Sequence, residues 1–366
     1  MPKKLIWLIV LWAIMTGCVA GDTRPTGQLD FSGVDAFWPI HSELLADRSP
    51  AEEAWDTLFD TPGYAILVQR DFTREFLTDF FSLAYQPSRR DELEAELQKT
   101  GFRIQYLRHL TALTENKQTL LARQRELEEN PVILTDALAL TQEYLTEPID
   151  VDRDPPPVSF VFFGNDARGY SRVIVDFLYA VQKEVYLRYL LAHEAHHYYR
   201  RRLLTFDEPP EGSMDAALLW GLDQLQAEGI ADQIDKRVIY FGEGIQADSR
   251  RAIQFREFLD QAPTHIARFD SLLANLVDFS GDPERLETRI RFILPMSAHP
   301  TGYFMANIIR QELGKEILRE HVGNPFAFLR DYNEAATRSP NRPPVFSTES
   351  LRRIDELEER YGRLSG

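Results

Sequence analysis

A five-residue segment of the chain carries two histidines and a glutamate at the spacing of a metal site. It reads His193-Glu194-Ala195-His196-His197. Because an α-helix turns once in about 3.6 residues, His193 and His197 lie on one face, where their ring nitrogens can converge on one ion. Neutral imidazole is a preferred ligand of zinc. The spacing predicts a zinc site; the alternative is a buried helix whose histidines make ordinary hydrogen bonds.

The glutamate of this segment is placed to act beside the metal rather than on it. Glu194 lies about 100° around the helix from His193. From there its carboxylate can hold a water molecule and accept its proton, which is general-base chemistry. His196 points about 100° away from His197 on the same helix, so we do not expect it to be a ligand. The segment therefore predicts a hydrolytic metal site with Glu194 as the base.

A catalytic zinc ion needs a third protein ligand and an open position. The segment QLQAEGIADQID supplies Glu228 and Asp232 on one helical stripe with Leu225. Two carboxylates beside a leucine are unusual on a solvated face, and the small residues Gly229 and Ala231 would let this helix approach another closely. The alternative is an exposed acidic helix, which is ordinary in an acidic chain. Beside the two histidines, the stripe indicates further metal-site residues.

These two motifs together resemble the gluzincin zinc metallopeptidases, in which one helix carries H-E-x-x-H and a second helix gives a glutamate ligand. The pattern Glu228-Gly-x-Ala-Asp232 is also similar to bacterial lipoprotein families provisionally described as zinc-dependent peptidases. The resemblance implies that Glu228 is the third zinc ligand, after His193 and His197. It also implies that Asp232 orients a ligand histidine, for which His193 is the expected one. The resemblance covers about residues 158–310 and leaves the N-terminal helices outside.

Peptide hydrolysis also requires a hydrogen-bond donor for the developing oxyanion. In gluzincins this donor is often a tyrosine or histidine beyond the third ligand. The segment SAHPTGYFMANII supplies His299 and Tyr303, which share a face if the segment is helical. Tyr170 and Arg168 in NDARGYS are further candidates. The alternative is a core tyrosine and a surface histidine without a catalytic role.

The strands that precede the active helix have a predicted role in substrate binding. In zincins an edge strand binds extended substrate through main-chain hydrogen bonds. The segments VSFVFFG (158–164) and RVIVDF (172–177) are rich in β-branched and aromatic residues, so either one is a candidate for that edge. The alternative for both is a plain core strand.

The rest of the sequence predicts a mainly α protein with a small β-sheet (α+β). Helical periodicity dominates residues 31–150, and three consecutive prolines then break it. Residues 158–177 indicate a hairpin or two adjacent strands, and long helices follow over 178–202 and from Met214 onward. We therefore expect an N-terminal helical region, and over residues 151–366 a zincin-like catalytic region with a helical C-terminal part.

The N-terminus has the pattern of a lipoprotein signal. Two lysines, an apolar run and small residues end at Cys18, the only cysteine of the chain. This pattern predicts a signal peptide over residues 1–17 and a tether over 18–30. The ending resembles a bacterial lipobox, with Met15 where leucine is usual, and implies that Cys18 is lipidated and anchors the protein to a membrane. The alternative is an ordinary signal peptide or an uncleaved anchor.

Charge and motifs together define the expected function. The net charge of −16 disfavours nucleic acid as a partner. We expect a membrane-anchored zinc (Zn²⁺) peptidase of the bacterial cell envelope, at the outer membrane or periplasmic face, acting on peptide or protein substrates. The alternatives are an inactive zincin-like binding or scaffold lipoprotein, and a metal-dependent hydrolase of a non-peptide bond. The intact Glu194 favours activity, because a site that only binds metal does not need it.

Overall fold

The computed structural model of the chain describes residues 29–146, 148, 154–241, 249–276 and 279–363. The predicted signal peptide, Cys18 and most of the predicted tether lie outside the described residues. Leu29 and Asp30, which we expected in the tether, form a short strand instead. Within the described residues, no helix is both long enough and apolar enough to cross a membrane.

The first part of the described chain is helical, as the periodicity predicts. Its helix starts follow local sequence rules: Pro62 stands in the first turn of one helix, and the Thr73 hydroxyl accepts a hydrogen bond from the Phe76 amide at the start of the next. The helices are α1 (Ser32–Leu45), α2 (Glu52–Phe59), α3 (Pro62–Arg70), α4 (Arg74–Tyr85), α5 (Arg90–Leu97), α6 (Phe102–Thr111), α7 (Leu113–Glu129) and α8 (Val132–Gln142).

The described strands form one four-stranded sheet in the order β1-β2-β4-β3. Strands β1 (Leu29–Asp30), β2 (Val158–Val161) and β4 (Val173–Asp176) are parallel, whereas β3 (Ala167–Gly169) is antiparallel to β4. The predicted adjacent strands are therefore β2 and β4, and they do not form a hairpin with each other. Every residue of β2 and β4 is buried, as is usual for parallel strands covered on both faces.

This strand order corrects our expectation about the substrate-binding edge. The segments that we proposed for it, 158–164 and 172–177, contain the inner strands β2 and β4. The edge strands of the described sheet are β1 and β3, and β3 is the one that lies against α10. Strand β3 is within a stretch that resembled a turn because it holds Arg168 and Gly169 between polar residues. Apolar, β-branched strands are the easiest to find in a sequence, and here they are the inner ones.

The remaining helices include the three, α10, α11 and α15, that carry the clustered histidines and carboxylates. The helix predicted over 178–202 is interrupted by a 3₁₀ turn at Glu184–Tyr186. The described helices are α9 (Phe177–Gln182), α10 (Leu187–Arg200), α11 (Met214–Ile234), α12 (Arg250–Asp260), α13 (Ala262–Ala274), α14 (Pro283–Ile293), α15 (His299–Glu312), α16 (Lys315–Glu320), α17 (Pro325–Arg338) and α18 (Thr348–Tyr361), with a π-helical segment at Arg237–Phe241. The prediction of a mainly helical protein with a small sheet is confirmed.

One hydrophobic core joins the N-terminal helices to the rest of the described chain. Phe162, the residue directly after strand β2, packs on Phe37 of α1 with 4.9 Å between the ring centroids. The hydroxyl of Tyr64 on α3 donates to the Phe162 carbonyl at 2.7 Å. The Thr141 hydroxyl on α8 donates to the Ala192 carbonyl of α10 at 3.0 Å. The N-terminal helices thus support both the sheet and the helix that carries the histidine pair.

Helices α11 and α15 meet at a contact between two glycines. A Cβ atom on Gly229 would lie 2.6 Å from the Gly302 carbonyl oxygen, and one on Gly302 would lie 2.5 Å from the Leu225 carbonyl oxygen. We predicted from the sequence that Gly229 would permit a close approach by another helix, and this is confirmed. Because α15 starts at His299, the contact places this histidine beside Glu228.

We predict that Gly302→Ala destabilises the protein. The added methyl group would overlap backbone atoms of α11, and overpacking of this kind costs about 1–3 kcal/mol. Alanine favours helix relative to glycine by roughly 0.5–1 kcal/mol, so a measured loss in chemical denaturation reports the contact itself. Gln311→Ala, on the exposed face of the same helix, is the control and should stay within about 0.5 kcal/mol of wild type. An unchanged Gly302→Ala stability would contradict the contact.

Candidate metal centre

Helices α10 and α11 bring three predicted ligand atoms together. The Nε2 atoms of His193 and His197 are 3.1 Å apart. The Oε2 atom of Glu228 lies 3.4 Å from the first and 3.3 Å from the second. Ligand atoms bound tetrahedrally to zinc at about 2.0–2.1 Å are separated by roughly 3.3 Å. The size of this triangle fits a zinc ion.

The chemistry of the donors fits an ion as well. The Oε2 atom of Glu228 is buried and has no hydrogen bond of good geometry with any described residue, although three ring nitrogens surround it. Burial raises the pKa of Glu228, but the neighbouring His299 and His197 outweigh it and hold the pKa well below its usual range. A buried, ionised carboxylate oxygen that faces imidazoles without a hydrogen bond is the environment of a metal ligand.

A second grouping of donors overlaps with the first. His193, Glu228, Asp232 and His299 each offer one ligand atom, and these atoms lie within 4.8 Å of one another. The carboxylate of Asp232, however, already accepts hydrogen bonds from His299 Nδ1 at 3.0 and 3.1 Å. The candidate ligand set used below is therefore His193, His197 and Glu228, with Asp232 as a neighbour that holds His299.

The carboxylate that holds His193 is Asp235, not the expected Asp232. The Nδ1 atom of His193 lies 3.1 Å from Asp235 Oδ1 and 3.6 Å from Asp232 Oδ1, and only the first is a hydrogen bond. Asp235 follows Glu228 by seven residues, two helical turns, so both reach the same side of α11. Sequence reasoning missed Asp235 because it stopped at the five-residue motif, although the seven-residue spacing was a usable signal.

A partly buried lysine contacts both aspartates. Lys236 Nζ lies 2.5 Å from Asp235 Oδ2 and 3.4 Å from Asp232 Oδ1. Burial lowers the pKa of Lys236, but the two carboxylates outweigh it and raise the pKa well above its usual value. Burial likewise raises the pKa of Asp235, which Lys236 and His193 reverse to a lowered one. A continuous polar chain thus connects His193 to His299.

Glu194 lies between the ligand histidines and the edge strand. Its carboxyl group is buried, and burial together with the nearby Glu228 raises its pKa against the opposing effect of His193 and His197. A Cβ atom on Gly169 of β3 would lie 2.6 Å from the Glu194 carbonyl oxygen and 3.1 Å from its Oε2. Glycine is therefore required where the edge strand crosses α10, and the Glu194 carboxylate faces that crossing.

His299 joins the cluster from α15. It follows three residues with left-handed backbone, Met296, Ser297 and Ala298, whose φ values are 53°, 51° and 69°. Consecutive non-glycine residues in this region are strained. The turn points the His299 ring toward α11, where its Nδ1 lies 3.2 Å from Glu228 Oε2 and bonds Asp232. Burial lowers the pKa of His299, and the two carboxylates reverse this to a raised pKa.

Tyr303 borders the cluster one helical turn after His299. Its ring stacks on Phe241 at 5.4 Å between centroids and packs edge-on against Phe255. Its hydroxyl makes no hydrogen bond with the residues that the structure describes. Burial, with a smaller effect of Asp232, raises the pKa of Tyr303 to about 12. Of the two predicted oxyanion donors, the structure brings His299 into contact with the ligand set and leaves Tyr303 at its margin.

The remaining sequence candidates have partners elsewhere. The Tyr170 hydroxyl donates to Asp71 at 2.7 Å. Arg168 pairs with Asp166 at 2.6 Å. His196 is fully buried, and its Nε2 faces a backbone carbonyl at 3.3 Å. These groups are not aimed at the three ligand atoms, and His196 lies outside the ligand set as its position on the helix predicts.

We predict that Asp235→Asn weakens zinc binding by about 10- to 100-fold, because loss of the carboxylate that orients a ligand histidine has an effect of this size. Asp232→Asn, which keeps the His193–Asp235 bond, should weaken it less. Competition for zinc with a chromophoric chelator measures both variants. A larger effect of Asp232→Asn would show that Asp232 is the group that orients His193.

Comparison with known proteins adds the family. No curated protein matches the chain, and no solved structure matches it. A family match that begins at Trp55 includes most of the N-terminal helices, which we had expected to lie outside the resemblance. Residues 55–341 match the family model described as "Putative zinc dependent peptidase (DUF5700)", and the chain therefore belongs to this family.

Proposed function

We propose that this protein is a zinc-dependent peptidase of the gluzincin type, with His193, His197 and Glu228 as zinc ligands. The observation that carries the proposal is the triangle of ligand atoms, whose edges measure 3.1, 3.4 and 3.3 Å. Glu194 follows the first ligand on the same helix and is buried beside the triangle. The family description supports the same class of enzyme.

Each residue has a distinct part in the proposed reaction. Zinc at this site would supply the Lewis acid that polarises a peptide carbonyl and makes water more acidic. Glu194 accepts the proton of the attacking water and passes it to the leaving nitrogen. A raised pKa suits a carboxylate that must both accept and release a proton.

Two groups are placed to donate to the developing oxyanion. His299 is held at Nδ1 by Asp232, which leaves Nε2 as its donor when the ring is protonated. Tyr303 is the alternative, because its hydroxyl has no hydrogen bond among the described residues and stays protonated at neutral pH. His299 is the better candidate, since its ring contacts the ligand set.

The edge strand β3 is the proposed site for the peptide backbone. Strand β3 pairs with β4 on one side only, and its Gly169 lies directly against the carboxylate of Glu194. An extended peptide added to this edge would be bound by main-chain hydrogen bonds. Its scissile bond would then lie next to the general base.

We predict that Glu194→Gln binds zinc as wild type does and cleaves peptides about 10²–10⁴-fold more slowly, because only the proton acceptor is lost. Elemental analysis of the purified protein and cleavage of a peptide library measure the two properties. His193→Ala, which removes a ligand, should lose both. Zinc bound by wild type and Glu194→Gln with no cleavage by either supports the scaffold alternative; cleavage of esters but not peptides supports a different hydrolase.

We also propose that Cys18 is lipidated and anchors the enzyme to the cell envelope, facing the periplasm or outer membrane. The support is the segment MTGC at the end of the apolar run and the absence of any other cysteine. The residue after Cys18 is Val19. An aspartate at this position is associated with retention in the inner membrane, so the valine favours the outer membrane.

We predict that wild type fractionates with membranes and that Cys18→Ser does not carry the lipid, because the thiol is the acylated group. Mass spectrometry of the mature N-terminus measures this directly. The matched Thr16→Ser variant, in which a small residue is kept, should be processed normally. An unmodified Cys18 in the mature wild-type protein would contradict the anchor.

A further inference from the structure

The contacts between α10 and α11 follow a regular antiparallel order. His193 faces Asp235, and His197 faces Glu228. Residue numbers rise along one helix as they fall along the other. One turn further along α10 lies Arg200, its last residue. Arg200 faces the part of α11 just before Glu228.

Arg200 is buried and donates two hydrogen bonds across to α11. Its Nε donates to Gln226 Oε1 at 2.6 Å, and its Nη2 donates to the carboxylate of Asp223. Gln226 is fully buried, and its Nε2 donates to the His321 carbonyl at 3.0 Å. The amide of Gln226 is therefore fixed in orientation, and the planar guanidinium meets two fixed acceptors as a fork.

The neighbouring arginines do not share this role. Arg202 is exposed and pairs with Asp154, and Arg201 lies over the ring of Tyr170. Three consecutive arginines begin at the last residue of α10. Among the described residues, Arg200 is the only one of the three that makes hydrogen bonds to α11. Attraction between arginines and the helix C-terminus explains the run in general, but not the burial of its first member.

We propose that Arg200 is a positioning residue for the metal centre: it fixes the separation of α10 and α11 next to His197 and Glu228. The inference rests on the proposed zinc site. Arg200 is three residues beyond His197, and Gln226 is two residues before Glu228, so the cross-link lies within about 5 Å of both ligands along the helix axes. With His193–Asp235 on the other side, the ligand triangle is held between two cross-links.

The separation of the helices matters because metal ligands must be held within about 0.5 Å of their binding geometry. His197 and Glu228 are supplied by different helices, so their 3.3 Å separation depends on helix packing and not on either helix alone. Removing Arg200 would leave the Gln226 oxygen buried without a partner. Relaxation of α11 to relieve this would displace Glu228.

Zinc affinity of the full-length chain tests this role. We expect Arg200→Met to weaken zinc binding about tenfold in chelator competition and to change the visible absorption spectrum of the cobalt-substituted protein. Arg200→Lys keeps the charge but not the fork, and should lie between Arg200→Met and wild type. Arg202→Met removes an exposed arginine two positions away, and should match wild type in both measurements.

A purely structural role predicts a different result. If Arg200→Met lowers the melting temperature of the metal-free protein but leaves zinc affinity and the cobalt spectrum unchanged, the positioning role is overturned. If Arg200→Met does not fold, Asp223→Ala removes only the partly exposed acceptor of the pair. A several-fold loss of zinc affinity in Asp223→Ala supports the role, and no loss overturns it. Wild type that binds no zinc would instead overturn the proposed zinc site.

Discussion

The concentration of four largely buried carboxylates around the candidate ligand histidines is the constraint on which the rest of the site depends. Buried carboxylates are costly unless positive charge lies beside them. Lys236 neutralises part of this charge by bridging two of the acids. An ion of charge +2 and protonated His299, whose pKa its neighbouring carboxylates raise, would balance the remainder. Of the four carboxylates, Glu194, Asp232 and Asp235 are buried, and the fourth, Glu228, has a side chain that is 13% exposed.

Two close backbone approaches make this concentration of charge possible. Gly229 and Gly302 let α15 approach α11 until His299 reaches Glu228. Gly169 lets the edge strand lie against α10 at Glu194. Both contacts exclude even a methyl group, so four elements, α10, α11, α15 and β3, meet close to the ligand triangle. The large N-terminal region contributes indirectly, by covering the sheet and the buried face of α10.

The sequence predicted the parts of the site that depend on one helix at a time. The spacing of His193 and His197 follows from helical periodicity, and the mainly helical fold class follows from the same signal. The position of His299 depends on a left-handed turn of three non-glycine residues, for which the sequence carries no clear signal. Strand β3 was missed because three residues with an arginine and a glycine carry little strand propensity. The shared hydrophobic core of the N-terminal helices and the later elements could not be predicted from the sequence, because packing between distant segments leaves no local pattern.

Exposure within the cluster indicates the side from which a substrate can approach. The side chains of His299 and His197 are 21% and 15% exposed, whereas those of His193 and Asp235 are 4% and 2% exposed. The side with His193 and Asp235 is therefore closed, and the more exposed side carries His197 and His299. A peptide that enters from this side would then contact the proposed base Glu194, the proposed oxyanion donor His299 and the edge strand β3. The closed side holds the groups that fix ligand orientation, where low solvent access strengthens their hydrogen bonds. His299 is the one cluster histidine that follows a left-handed turn, and this turn holds its ring at the more exposed side of the cluster, next to Glu228.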